Sequence, residues 1–152
     1  VAVLTTAKLV AGSNSVYAAY GGSTDDAAGN SPTVHIAVTA AATSITLKAS
    51  TTKDNYGASV EFTATVTSAG GKPSGAVTFL ANGSSLGSID VTSGVGSLSS
   101  TAPPVGDNSV VAEYAGDADF EAGKSSAVTL AARASPSTTA SWPSAPVMNP
   151  RA

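Results

Sequence analysis

An all-β sandwich is the fold class that this 152-residue sequence predicts, and three observations carry it. Short runs of period-2 alternation recur along the chain, turn residues punctuate them every ten or so positions, and no window offers a helical stripe with caps. The chain also repeats itself. "VVAEYAGDADFEAGKS" near the end echoes "YAAYGGSTDDAAGNS" near the start.

In "SVEFTATVTS", Val60, Phe62, Ala64 and Val66 share one face, while Glu61, Thr63, Thr65 and Thr67 share the other. That pattern is a half-buried antiparallel strand, with β-branched Thr suited to the solvent side of a pleat. Upstream, "TSITLKAS" places Ile45 and Leu47 inward, and "DNYG" reads as a turn with Tyr56 covering the end of the core. Downstream, "AGGKPSG" is turn chemistry: glycines supply positive φ and Pro73 fixes its own. "GAVTFLANG" follows with Val77 and Phe79 inward, then "SSLGSIDVTSG" and "VGSLSST" as a shorter hairpin. "NSVVAEYAG" sets Val110, Ala112 and Tyr114 against Val111 and Glu113, and "SSAVTLAAR" closes with Val128 and Leu130 inward. Seven short strands in about 100 residues fit an immunoglobulin-like sandwich.

Laying Tyr20 on Tyr114 sets an offset of 94 positions that runs outward without a gap. Val1, Leu4, Gly12, Asn14, Ser15 and Val16 meet identical residues at 95, 98, 106, 108, 109 and 110. Ala18, Gly22, Asp25, Ala28, Gly29, Ser31, Val34 and Ala37 do the same at 112, 116, 119, 122, 123, 125, 128 and 131. Fixed-period similarity marks repeated modules. The expected organisation is therefore the closing part of one immunoglobulin-like repeat at 1–39, a short linker at 40–42, a complete sandwich at 43–132, and a Pro/Ser/Thr-rich tail at 133–152.

Composition excludes more than it selects. Only 5% of residues are aromatic and 11% charged, so the core is built from Val and Ala and the surface from Ser, Thr, Gly and Asn. A net charge of −3 and scattered lysines argue against nucleic acid. The absence of cysteine rules out disulfides, thiolate metal sites and cysteine nucleophiles. No apolar run reaches the roughly 20 residues needed to span a bilayer as a helix. The opening "VAVLTTAKLVAG" has no charged n-region, so the chain is expected to be a mature piece or fragment.

Several segments resemble the tandem bacterial immunoglobulin-like repeat family. They are "EFTATVTSAGGKPSGAVTFLANGSSLGS" and "VGDNSVVAEYAGDADF", with Phe62–Val66 on the first strand, Pro73–Gly75 in the turn, Val77–Phe79 on the next strand, and Tyr114, Gly116, Asp117 and Phe120 in the last hairpin. Residues 1–39 share the strand and Tyr20–Gly22 portion, with Ser23 and Asp26 in place of Asp117 and Phe120. The resemblance implies an extracellular or cell-surface setting, a role in spacing, adhesion or assembly, and no catalytic residues.

Residues 1–39 would supply three strands, with Val16, Ala18, Tyr20, Val34 and Ile36 facing a core whose other wall is missing. Such a face invites pairing. Either strands upstream in a longer chain cover it or a neighbouring subunit adds them. In the tail, Pro136, Pro143, Pro146 and Pro150 bar a central strand, and Trp142, Val147 and Met148 are expected to anchor it in a larger assembly.

Site chemistry is sparse. The single histidine, His35, stands where Thr129 does in the second copy and is expected on an outward face, with no second His or Cys to complete a nucleophilic site. Asp117, Asp119 and Glu121 are a weak calcium candidate, since Ca²⁺ wants six to eight oxygens; the competing reading is an Asx-turn at Asp117. Tyr17 and Trp142 are isolated candidates for stacking on a glycan. The expected function is a non-catalytic spacer or subunit of a bacterial surface assembly, with neighbouring copies or subunits as partners. The alternatives are a glycan- or receptor-binding adhesin module and an accessory domain of a secreted enzyme.

Overall fold

The computed structural model describes residues 1–101 and 103–136. Among them every regular element is a strand. β1 (Gly12–Val16), β2 (Ala19–Tyr20), β3 (Gly29–Asn30) and β4 (Val34–Val38) form an N-terminal hairpin, with β1 antiparallel to β4 and β2 to β3. β5 (Thr43–Ala49), β6 (Lys53–Asn55), β7 (Ser59–Ser68), β8 (Gly75–Ala81), β9 (Ser84–Val91), β10 (Val95–Thr101), β11 (Gly106–Tyr114), β12 (Gly123–Lys124) and β13 (Val128–Arg133) build the sandwich. One sheet has the order β10-β7-β5. The other runs β6-β13-β11-β8-β9, with β12 pairing β11. The fold is an immunoglobulin-like all-β sandwich.

Alternation in the sequence becomes alternation of burial. Along β7, Val60, Phe62, Ala64 and Val66 are buried; from the facing sheet come Val77, Phe79, Ala81, Val110, Ala112, Tyr114, Leu130 and Ala132. Each buried Val, Leu or Phe contributes about 1.5–3 kcal/mol, so many modest side chains share the stability. Phe62 and Phe79 meet between the sheets in a tilted pair, ring centroids 6.3 Å apart. The β8–β9 turn is Asn82-Gly83, both at positive φ (50° and 83°), the backbone twist a two-residue hairpin requires. Asn82 is then tied to β11: its Oδ1 accepts from the Ser109 amide and its Nδ2 donates to Asn108 Oδ1, both at 2.9 Å.

Four features differ from the sequence reading. Lys53–Asn55 is a strand, paired in parallel with Ala131–Arg133. Tyr56 does not cover the core; it is 58% exposed beside that edge. The segments 84–91 and 95–101 are not a ladder of their own: apart from a Thr92–Val95 bridge, β9 pairs β8 and β10 pairs β7, so the chain changes sheets there. Residues 1–39 hold four short strands rather than three, and 1–7 form none, although their counterparts 95–101 are β10. β10 exists because β7 lies beside it, and residues 1–7 have no such neighbour among the described residues.

Candidate functional site

The offset of 94 carries over from sequence to hydrogen bonding. Gly12↔Val38 through Val16↔Val34 correspond pair by pair to Gly106↔Ala132 through Val110↔Val128, and Tyr20↔Gly29 to Tyr114↔Gly123. Side chains repeat too. Asn14 Nδ2 donates to the Val10 carbonyl at 2.8 Å, as Asn108 Nδ2 does to Pro104 at the same distance. The Ala18 amide donates to Ser31 Oγ (2.9 Å), as Ala112 does to Ser125 Oγ (3.0 Å). Each hairpin therefore has a foot, where the first strand starts and the last ends, and a tip at the turn.

The tip of the sandwich hairpin is built around Asp117. Gly116 enters the loop at φ +78°, where a Cβ would collide with the Phe120 carbonyl and the Ala122 amide. Asp117 Oδ1 accepts from the amides of Asp119 (2.8 Å) and Phe120 (2.9 Å), Ser74 Oγ donates to Oδ2 at 3.3 Å, and Tyr114 Oη lies 3.4 Å from the same oxygen. Tyr114 Oη also lies 2.6 Å from the Ser74 carbonyl, which accepts its proton. Desolvation by the surrounding tip pushes the exposed Asp117 carboxyl up, but the two amides and Ser74 together hold it below the usual carboxylate range. Tyr114 is raised, by burial first and then by the Asp117 charge. In the N-terminal hairpin Ser23 Oγ takes the place of that carboxylate, accepting from the amides of Asp25 (3.3 Å) and Asp26 (3.1 Å), with Gly22 at φ +83°.

The linker runs onto this tip. The Ala41 amide donates to the Asp119 carbonyl (2.8 Å) and the Glu121 amide to the Ala41 carbonyl (2.9 Å), making a parallel bridge between Ala41 and Phe120. Thr43 Oγ1 donates to the Glu121 carbonyl and Ser68 Oγ to the Ala42 carbonyl. The foot of the N-terminal hairpin is held separately: the Ala11 amide donates to Asp119 Oδ1 at 2.7 Å. Between foot and tip lies a cleft of about 390 Å³, lined among others by Lys8, Leu9, Val38, Gly70, Asp119 and Phe120.

The predicted site residues are thus distributed. Asp117 forms the turn, Asp119 binds the foot, and Glu121 meets the linker through its backbone. Among the described residues no three His, Cys, Asp or Glu side chains form a group that could hold a metal ion, and the three residues of the weak calcium candidate make the separate contacts just named. Val16 and Val34 are directly paired and Ile36 lies two residues along, on the same side; all three, and Tyr20, are exposed. Trp142, Val147 and Met148 lie outside the described residues. His35 is exposed, its Nδ1 3.0 Å from Ser15 Oγ. Sequence reasoning missed the Ala11–Asp119 contact. The available signal was the identity of Asp25 with Asp119 across the offset.

The family model described as bacterial Ig-like domain (group 3) matches residues 46–133, more than half of the chain. No curated protein matches. Among solved structures, the chain is similar to the fibronectin(III)-like modules of CbhA from Clostridium thermocellum, with 20% identity and a TM-score of 0.49 over 82% of this chain and 63% of that one. The chain thus spans less than two thirds of that structure's length.

Proposed function

The chain belongs to the bacterial Ig-like domain family, and from that premise we propose that it is a non-catalytic structural module of a bacterial extracellular or cell-surface protein. It acts as a spacer or as a subunit of a larger surface assembly, with modules of its own kind as immediate neighbours. Residues 1–39 are read as the closing strands of a preceding module, 40–42 as a linker and 43–132 as a complete one. Domains of this class are typically non-catalytic and commonly extracellular.

The observation that carries the reading is the register identity of the two hairpins, joined foot to tip by a three-residue linker. Repeated sandwiches joined so closely hold distance, which is what a spacer must do. The exposed Val16, Val34 and Ile36 support it as well. Their counterparts Val110, Val128 and Leu130 pack against or within the core, so the N-terminal face is shaped for coverage by strands like β5–β10.

Antibody raised against residues 43–132 tests the setting. On intact source cells it should label the surface or the medium, and external protease should remove the signal. Labelling only after lysis would overturn the proposal.

A further inference from the structure

We propose that the tip of the sandwich is a receiving surface for the foot of the hairpin before it, and that the Asp119 carboxylate is the latch that fixes the angle between them. The inference rests on reading residues 1–39 as the end of a module.

The foot has two strand ends. One, Val38, runs directly into the linker, which Ala41 fastens to the tip through two backbone hydrogen bonds. With that attachment alone the hairpin would swing about the linker. The other end, at Gly12, sits one strand spacing away, about 5 Å, and the Ala11 amide beside it is bound by Asp119 Oδ1. Two attachment points on neighbouring strands remove the swing. An ionised acceptor makes the second bond shorter and stronger than a neutral one, in keeping with its 2.7 Å length.

The internal repeat separates this task from turn formation. The turn needs an acceptor at its first position, and Asp117 and Ser23 both serve there. The fourth position also varies, Phe120 against Asp26, whereas the third is Asp in both copies, at 119 and 25. In the described contacts the Asp119 side chain does nothing for its own turn; its hydrogen bond goes to Ala11, 108 residues away in sequence. The carboxylate is explained by what docks on the tip.

Residual dipolar couplings on the full 152-residue chain test the latch. In the unsubstituted protein one alignment tensor should fit the amides of both 12–38 and 43–133. D119A should require two tensors and speed hydrogen exchange at the Ala11 amide at least tenfold, with the melting temperature of the sandwich unchanged. D119N, which keeps an acceptor oxygen, should retain a single tensor. Separate tensors in the unsubstituted protein, or no change in D119A, would overturn the latch. Loss of the β1–β4 cross-strand contacts would instead overturn the module reading beneath it.

Discussion

The two hairpins are a natural experiment: one backbone pairing, two environments. β11 is continuous from Gly106 to Tyr114, whereas its counterpart breaks into β1 and β2 at Tyr17–Ala18. At the equivalent Val111 and Ala112, β8 supplies partners in Leu80 and Phe79. Tyr114 is 2% exposed and Tyr20 is 51% exposed. The local chemistry of the turn and the Asn and Ser clamps persists without the second sheet, so these bonds are properties of the hairpin. Strand continuity and burial are not; they come from the neighbours.

Matched substitutions sharpen that contrast. Leu130 is fully buried and Ile36, 94 positions before it, is 39% exposed. L130A should cost about 2–5 kcal/mol by urea denaturation, from lost burial plus a cavity, while I36A should cost about 1 kcal/mol or less. Equal costs would mean the N-terminal face is covered in solution.

Removing one oxygen should have a smaller effect. Y114F strands the Ser74 carbonyl and should lower stability by about 1–2 kcal/mol, whereas Y20F should leave the unfolding midpoint unmoved. A comparable loss for Y20F would break the comparison.

The smallest effect is on pH. The folded Asp117 carboxyl ionises below its ordinary value of about 3.9. Its contribution is therefore complete above that value and lost as pH falls through the lower, folded one. D117N keeps an acceptor for the two amides but cannot titrate. The melting-temperature advantage of the unsubstituted protein over D117N should hold from roughly pH 6 to roughly pH 4 and shrink as the pH falls further. An advantage that grows on acidification would refute the assignment.

Much of the sandwich was legible because its strands alternate cleanly: Val60, Phe62, Ala64 and Val66 are the buried face that period-2 reading predicts. The edges were not. Lys53–Asn55 carries no alternation, and its parallel pairing with Ala131–Arg133 joins segments some 78 positions apart. "VTSG", with Ser93 and Gly94 at positive φ, has good turn chemistry, which cannot say whether the following strand stays in the same sheet. At the candidate site, the Asx-turn at Asp117 was open to reading because it is local. The partner of Asp119 was hidden because it sits in the other hairpin.

Residue order alone reveals the faces of the alternating strands, most of the turns and the offset of 94, since side-chain alternation, positive-φ residues and internal identity are local or self-referential properties. Tertiary structure alone decided which strands changed sheets, which of two equivalent tyrosines is buried, and what the Asp119 carboxylate binds. Those outcomes depend on which distant surfaces come together, and a residue's own neighbours in the chain do not encode that.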